Sequence, residues 1–311
     1  MTVLVHLTDI HLPSPMFPPL SSLSFKQALG VLNWRRSRKF IHTEAALSLL
    51  LDDLKEHEFD HMVISGDLVN VAASEEIEAG LGWLKALTRF DRVTRPVTDF
   101  VSFVPGNHDY YCGPEPFYAP DFTSFMTSDA VGASLGGGDG PEGPFVRIIN
   151  DVALIGVNSA IPTPLFKAYG QVAETALHQL GKVLKKAKEH GFYRCVFVHH
   201  PPIADTTPPH RALLNDAAFE QTLKISGAEL VLYGHNHVAA THRFETYDGP
   251  CAIVGTPSAS VGRSGRYDLA RYNLFHIQKG SEGWHTLMTG RALDQSLSRI
   301  VRAEQWTFPG V

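Results

Sequence analysis

The chain has 311 residues, of which 44% are hydrophobic and 19% are charged, and its formal net charge is −5. This composition is typical of a folded globular protein and excludes the basic footprint of a nucleic-acid-binding domain. Three cysteines without C-x-x-C spacing suggest neither a disulfide framework nor a thiolate zinc site. Because there is no apolar stretch of about 20 residues and no signal-peptide pattern, we expect a cytoplasmic protein without a transmembrane segment. The sequence does not determine the oligomeric state of the protein, and a homo-oligomer is one of the alternatives.

Strand and helix patterns alternate along the chain. Short apolar runs bounded by turn residues predict buried strands, chiefly at residues 3–7, 62–64, 100–104, 195–198 and 230–233. Apolar residues at helical spacing predict helices over residues 43–58, 74–90, 172–188 and 219–225. A hairpin is predicted over 145–157, and later strands at 251–254, 272–278 and 284–288 have no helices between them. The pattern predicts two stacked mixed β-sheets with helices outside.

The spread of the candidate site residues sets the domain boundaries, because residues from 9 to 237 are needed in one site. We expect a single domain over residues 1–290 and a C-terminal tail over residues 291–311. Residues 13–40, called the insert below, are apolar and basic. We expect the insert to be a packed loop, a lid over the site, a dimer contact or a membrane-surface patch. Residues 129–144 are Gly-rich and predict a mobile loop.

Metal-binding side chains follow each of the five buried strands predicted at residues 3–7, 62–64, 100–104, 195–198 and 230–233. Ligands bind outside the carboxyl ends of strands in open α/β sheets, so we expect these side chains to meet at one rim. The candidate ligands are Asp9, His11, Asp67, Asn107, His199, His235 and His237. Carboxylate, amide and imidazole donors together suit Mn, Fe or Zn better than Ca or Mg.

The number of donors predicts two ions rather than one. Seven donors are too many for a tetrahedral site, whereas two ions that share Asp67 use them all. Two ions roughly 3.5–4 Å apart clamp the attacking and leaving oxygens of an in-line phosphoryl displacement. We expect a hydroxide bridging the ions as the nucleophile, because coordination lowers the pKa of water from about 15.7 to about 7.

The motifs D-x-H, G-D, G-N-H-D, H-x-P and G-H-x-H occur in this order, and the series resembles the calcineurin-like metallophosphoesterase superfamily. The resemblance spans residues 9–237 with no motif missing, and it implies a four-layer αββα sandwich. It also implies two ligand sets, one of Asp9, His11, Asp67 and His237, the other of Asp67, Asn107, His199 and His235. His108 matches the catalytic histidine that contacts the phosphate and assists the leaving group. Asp109 matches the residue that orients that histidine.

The opening H-L-T-D-I-H-L, the G-N-H-D motif and the H-H-P-P motif are most similar to those of bacterial class III cyclic-nucleotide phosphodiesterases. This resemblance implies hydrolysis of a cyclic nucleotide or a small nucleotide diester. The insert keeps open a second hypothesis, a pyrophosphohydrolase acting on UDP-linked lipids or sugars, and phosphomonoester hydrolysis is a further variant. A non-catalytic protein-binding scaffold is disfavoured because every ligand position is filled.

Two further residues are candidate substrate contacts. Asn158 ends another predicted strand, where the alternative is a simple turn. His200 follows His199, which takes the ligand position, so His200 is equally a candidate for a structural role beside the ligands.

Overall fold

The computed structural model describes residues 1–13, 17–90, 94–263 and 265–309. Its strands are β1 (Thr2–Leu7), β2 (His61–Ile64), β3 (Val101–Phe103), β4 (Phe145–Ile149), β5 (Val152–Gly156), β6 (Tyr193–Phe197), β7 (Leu230–Tyr233), β8 (Ala240–Thr246), β9 (Gly249–Gly255), β10 (Arg271–Gly280), β11 (Gly283–Leu293) and β12 (Ile300–Pro309). They form two six-stranded sheets, in the orders β12-β11-β10-β1-β2-β3 and β4-β5-β6-β7-β9-β8.

Parallel strands lie at one end of the first sheet and in the middle of the second. β1, β2 and β3 run parallel in the first sheet, and β5, β6, β7 and β9 run parallel in the second. The pairs β1–β10 and β4–β5 are antiparallel, so both sheets are mixed. The carboxyl ends of neighbouring parallel strands open at one edge, and this edge carries the candidate site.

Helices cover the outer faces of the sheets. They are α1 (Phe25–Arg36), α2 (Glu44–Leu54), α3 (Ser74–Ala86), α4 (Val97–Phe100), α5 (Pro120–Thr123), α6 (Ala130–Ser134), α7 (Glu174–Glu189) and α8 (Asp216–Ser226). Within the described ranges, no helix has both the length and the apolar character that a membrane span requires.

Alternating side chains of one strand show the layer order. Leu154 of β5 joins the core cluster between the sheets, whereas its neighbours Ala153 and Ile155 join the cluster beneath α7. Successive side chains of a strand point to opposite faces, so β5 has one face toward the other sheet and one toward the helices. Leu180 and Leu184 of α7, one turn apart, complete the outer cluster. The expected αββα sandwich is confirmed.

Part of the insert is helical, although the sequence predicted no helix there. α1 begins after Ser24, whose Oγ accepts from Gln27 N at 3.2 Å, while Gln27 Oε1 accepts from Ser24 N at 3.0 Å. This reciprocal pair is a capping box, which is a start signal readable in the sequence. The apolar pattern missed the helix because only Val31 of α1 is buried. Residues 14–16 of the insert lie outside the described residues.

The C-terminal segment also differs from the expected tail. Residue 290 lies inside β11, and β12 pairs antiparallel with β11, with Trp306 opposite Met288. The segment expected as a tail therefore completes β11 and adds β12 to the first sheet, and residues 310–311 lie outside the described ranges. In the Gly-rich segment 129–144, α6 is capped by Asp129, whose Oδ1 accepts from Gly132 N at 2.6 Å.

Candidate metal centre

Five of the candidate ligands have left-handed backbone conformations. The φ angles are 50° at Asp9, 39° at His11, 53° at Asp67, 67° at His235 and 57° at His237. Positive φ is uncommon for residues other than glycine and carries a cost of about 1–3 kcal/mol, which the surrounding structure must offset. The chain is therefore held in sharp bends just past the strand ends, and these bends turn alternate side chains toward one point.

One group of donors consists of Asp9, His11, Asp67 and His237. His237 Nε2 lies 2.9 Å from Asp9 Oδ1 and 3.4 Å from His11 Nε2. His11 Nε2 lies 3.8 Å from Asp9 Oδ1 and 3.6 Å from Asp67 Oδ2. Two ligands bound at 2.0–2.2 Å to one ion lie roughly 2.8–3.1 Å apart in octahedral geometry and roughly 3.3–3.6 Å apart in tetrahedral geometry. Separations of 2.9 to 3.8 Å therefore bring the four donors close to the spacing of ligands around a single ion.

A second group consists of Asp67, Asn107, His199 and His235. His199 Nε2 lies 3.5 Å from Asp67 Oδ2, 3.3 Å from Asn107 Oδ1 and 3.2 Å from His235 Nδ1. These separations also match the spacing of ligands around one ion. Asp67 Oδ2 belongs to both groups, which is the arrangement that a bridging carboxylate requires.

Backbone carbonyls fix the orientation of two of the imidazoles. His11 Nδ1 lies 3.2 Å from Val69 O, and His199 Nδ1 lies 2.7 Å from Ser65 O. Because a carbonyl oxygen only accepts, Nδ1 carries the proton in each ring and Nε2 presents its lone pair to the centre. Metal-binding histidines are commonly oriented in this way by a partner on the other nitrogen.

The pKa values of Asp67 and Asp9 are shifted in opposite directions. Burial and the neighbouring charge of Asp9 raise the pKa of Asp67 well above its ordinary value. Burial opposes ionisation of Asp9 as well, but the adjacent His237 outweighs it and lowers the pKa of Asp9. Buried carboxylates side by side disfavour each other's ionised forms, and bound cations reverse that penalty. The donor set therefore fits a pair of cations both in spacing and in charge.

The profile of the calcineurin-like phosphoesterase family matches residues 2–239. The chain belongs to this family. It is 22% identical over 271 residues to the 3′,5′-cyclic adenosine monophosphate phosphodiesterase CpdA of Haemophilus influenzae, a match that covers 85% of this chain and 84% of that protein. Its fold is similar to that of a dimetal phosphatase from Danio rerio, with a TM-score of 0.63, 13% identity and 98% coverage of both chains. This phosphoesterase is thus a metal-dependent phosphoester hydrolase whose His and Asp clusters fit a binuclear site.

The structure separates the two residues of the phosphoesterase that were expected to act together in catalysis. His108 Nδ1 lies 2.5 Å from Asn70 O, and its backbone N donates to Asp67 Oδ1 at 2.7 Å. Asp109 instead accepts from three backbone N–H groups, those of Leu68, Val69 and Gly106, at 2.9, 3.2 and 2.8 Å. No hydrogen bond joins Asp109 to His108 in the described structure. The expectation that Asp109 orients His108 is therefore wrong; the Asn70 carbonyl does so.

The two expected substrate contacts are both hydrogen-bonded within the protein. Asn158 Nδ2 donates to Tyr110 Oη at 3.3 Å and to Pro141 O at 3.1 Å, and Asn158 Oδ1 accepts from Ala160 N at 2.8 Å. Both polar atoms of its side chain are thus hydrogen-bonded within the protein, and Asn158 lines a different cavity.

His200 is fully buried. Its Nδ1 lies 2.8 Å from Ser159 Oγ and its Nε2 lies 3.2 Å from Ala168 O. Both ring nitrogens are engaged within the protein, so His200 packs beside the ligand histidines and supports them.

A guanidinium that the sequence did not predict lies at the metal centre. Arg38, from the insert, places Nη1 2.8 Å from His108 Nε2 and Nη2 3.0 Å from His11 Nε2. It lines a cavity of about 380 Å³ over the centre together with Arg211 and His42, which were not singled out either. The only signal was the basic run at residues 35–39, which gives no information about the direction of any one side chain.

Proposed function

We propose that this phosphoesterase hydrolyses the phosphodiester of a small nucleotide, cyclic or linear, at a centre of two metal ions. The proposed ligands are Asp9, His11, Asp67 and His237 for one ion and Asp67, Asn107, His199 and His235 for the other. Mn, Fe or Zn suit these donors. The observation that carries the proposal is the position of Asp67 Oδ2, 3.6 Å from His11 Nε2 and 3.5 Å from His199 Nε2.

A pair of ions at this centre supplies water of lowered pKa and offsets the negative charge of the phosphoryl oxygens. The protein's own groups do the rest. The Asn70 carbonyl holds the His108 Nδ1–H, so Nε2 is the atom that presents a proton to the leaving oxygen. Burial and Arg38 lower the pKa of His108, which keeps the ring neutral in the free protein. The negative charge of a bound phosphodiester favours the protonated ring, so substrate binding prepares the acid.

Two observations favour a nucleotide-sized diester. The cavity of about 380 Å³ lies within the range of small-molecule sites, roughly 300–1,000 Å³. The match to a cyclic AMP phosphodiesterase makes cyclic nucleotides the first substrates to test.

The decisive experiment measures metal content and turnover together. Protein treated with a chelator and reloaded with Mn²⁺ should hydrolyse bis-(p-nitrophenyl) phosphate and 3′,5′-cyclic AMP, and elemental analysis should find two ions per chain. Asp67→Ala should lose ions and turnover together because it removes the shared oxygen. Asp52→Ala, at an exposed carboxylate that pairs with Lys55, is the matched control and should behave as wild type. An active, fully loaded Asp67→Ala protein would disprove the bridging role. Metal-free wild type that stays inactive after Mn²⁺ addition favours the scaffold alternative.

A further inference from the structure

A buried histidine that belongs to neither proposed ligand group lies beside the metal centre. His42 is 2% exposed and comes just before Thr43, the residue that caps the N-terminus of α2. Its ring centroid lies 4.5 Å from that of His11 and 5.5 Å from that of His237. One nitrogen from each of these three rings lies within 4.8 Å of the other two. His42 therefore forms a cluster of three imidazoles with two proposed ligands, although it lies outside the five sequence motifs.

The backbone on both sides of His42 is fixed to the loop between β9 and β10. Gly262 N donates to Ile41 O and Thr43 N donates to Ser260 O, both at 2.8 Å. The two bonds form an isolated antiparallel bridge at His42. Because the chain is held both before and after this residue, the position of the ring is set by the fold.

A chain of hydrogen bonds determines which nitrogen of His42 carries the proton. Ser258 Oγ donates its only proton to Asp9 O at 2.6 Å, since a carbonyl oxygen only accepts. Ser258 Oγ therefore accepts from Ser260 Oγ, which lies 3.3 Å away. Ser260 Oγ has then used its own proton, so it accepts from His42 Nδ1 at 2.8 Å. The other ring nitrogen, His42 Nε2, consequently carries a lone pair.

This lone pair is available to a cation. In the part of the chain that the structure describes, the hydrogen bonds of the His42 ring all involve Nδ1. His11 is oriented in the same way, with Nδ1 held by Val69 O, so it also offers only Nε2. That atom already belongs to the first ligand group, and a cation shared by His11 and His42 is therefore the first ion and not a third one. Donors on opposite sides of one ion lie roughly 4.0–4.4 Å apart, which is close to the span of the cluster.

We propose that His42 is a fifth donor to the first ion, through Nε2. The inference rests on the proposed metal centre and gives the two ions different surroundings. The first ion has three imidazoles, those of His11, His42 and His237, whereas the second has two imidazoles and the amide of Asn107. Imidazole donors suit Zn and Fe, while carboxylate and carbonyl oxygens suit Mn. His42 therefore makes the first position selective for Zn²⁺ or Fe²⁺ over Mn²⁺.

The test uses His42→Asn, because the amide nitrogen of asparagine replaces Nδ1 in the bond to Ser260 and nothing replaces Nε2. Calorimetric titration of chelator-treated protein with Zn²⁺ and with Mn²⁺ follows both binding steps. One Zn²⁺ step should weaken at least about tenfold, since even a residue that only supports a ligand contributes about 10–100-fold to metal affinity. The Mn²⁺ steps should weaken less. In Co²⁺-loaded protein, the visible absorption bands should shift as water takes the place of an imidazole.

Two further variants separate a direct bond to the ion from a packing role. His61 is also buried, with Nε2 2.8 Å from Ser102 Oγ, and it belongs to no donor cluster among the described residues. His61→Gln is the matched control and should bind both metals as wild type does. Ser260→Ala removes the partner of His42 Nδ1 but leaves Nε2 in place. It should weaken the same Zn²⁺ step by a smaller factor than His42→Asn.

Wild-type Zn²⁺ affinities and an unshifted Co²⁺ spectrum in His42→Asn would overturn the proposal and leave the proposed function standing. Equal weakening of Zn²⁺ and Mn²⁺ binding with an unshifted Co²⁺ spectrum would also count against a direct bond. If urea unfolding shows that His42→Asn does not fold, unchanged Zn²⁺ binding in Ser260→Ala overturns the proposal. Wild type that binds no ion would end the proposed function and this inference together.

Discussion

The Nδ1 atom of His108 lies 2.5 Å from the backbone carbonyl oxygen of Asn70. A backbone carbonyl therefore orients the proposed catalytic ring, in the place where a carboxylate was expected. A neutral carbonyl fixes the ring and its proton without adding negative charge beside Asp67. Asp109 serves the backbone instead, since it ties the Gly106 turn to the segment that follows Asp67.

We expect His108→Ala to keep its metal ions and to lose about a hundredfold to ten-thousandfold in kcat, because general acid catalysis contributes on that scale. Asn70→Ala is the matched control, since it retains the carbonyl and removes only a side chain whose Nδ2 donates to Leu12 O at 3.1 Å. Steady-state kinetics on Mn²⁺-loaded proteins measure both. Wild-type kcat in His108→Ala would remove this residue from the reaction, and equal losses in both variants would point to general damage at the site.

We expect Gly66→Ala to lose metal binding and stability. Gly66 has a φ of +94°, and a Cβ there would lie 2.6 Å from Gly106 N and 2.7 Å from His199 Nδ1. Backbone strain alone costs about 1–3 kcal/mol, and the clash displaces a proposed ligand. Gly82→Ala is the control, because a Cβ at Gly82 in α3 meets no atom within 4 Å and should stabilise the helix by about 0.5–1 kcal/mol. Urea unfolding and metal analysis report the outcome, and two indistinguishable variants would contradict this account.

The sequence predicted the parts of the fold that rest on burial. Apolar runs mark β1, β2, β6 and β7 because these strands are buried along their whole length. β8 was missed because it is mostly polar and only partly buried, as an edge strand can be. A hydrophobic pattern reflects burial, so an element that buries few apolar side chains cannot be predicted from it.

Some features of the site could likewise be predicted from the sequence, and others could not. That the candidate donors lie close together could be predicted because each follows the carboxyl end of a strand. The Asn70 carbonyl could not, since every residue offers the same group. Arg38 could not either, because its approach to His108 depends on how the insert packs, for example on Lys26 Nζ donating to Tyr111 O at 2.8 Å. Such long-range packing leaves no periodic trace in the sequence.

A buried ion-pair network far from the proposed ligands gives a stability prediction. Arg194, whose side chain is 2% exposed, donates to Glu229 Oε1 at 2.7 Å and to Asp248 Oδ2 at 2.8 Å. Arg194→Met leaves the largely buried Glu229 carboxylate unpaired, so the free energy of unfolding should fall by about 3–5 kcal/mol. Arg243→Met breaks an exposed pair with Glu245 and should cost less than about 1 kcal/mol. Chemical denaturation of the two variants checks this, and equal losses would show that burial of the pair does not matter.

The buried His6 predicts a specific pH dependence of stability. Its Nε2 lies 2.8 Å from Ser65 Oγ and its Nδ1 lies 2.8 Å from Thr256 Oγ1. Burial lowers the pKa of His6 from 6.5 to about 3, although the charge of Asp9 opposes the shift. Between pH 6.5 and 3, His6 is therefore protonated in the unfolded chain but neutral in the folded protein. The stability present above pH 6.5 is lost as the pH falls toward 3. The slope is about 1.4 kcal/mol per pH unit. Urea unfolding of the metal-free proteins measures this dependence. Below about pH 6, the difference in free energy of unfolding between wild type and His6→Gln should shrink by that amount per pH unit. The free energy of unfolding of His178→Gln, a variant at an exposed position, should change with pH in parallel with that of wild type. A His6→Gln curve parallel to wild type would mean that His6 is protonated in the folded protein.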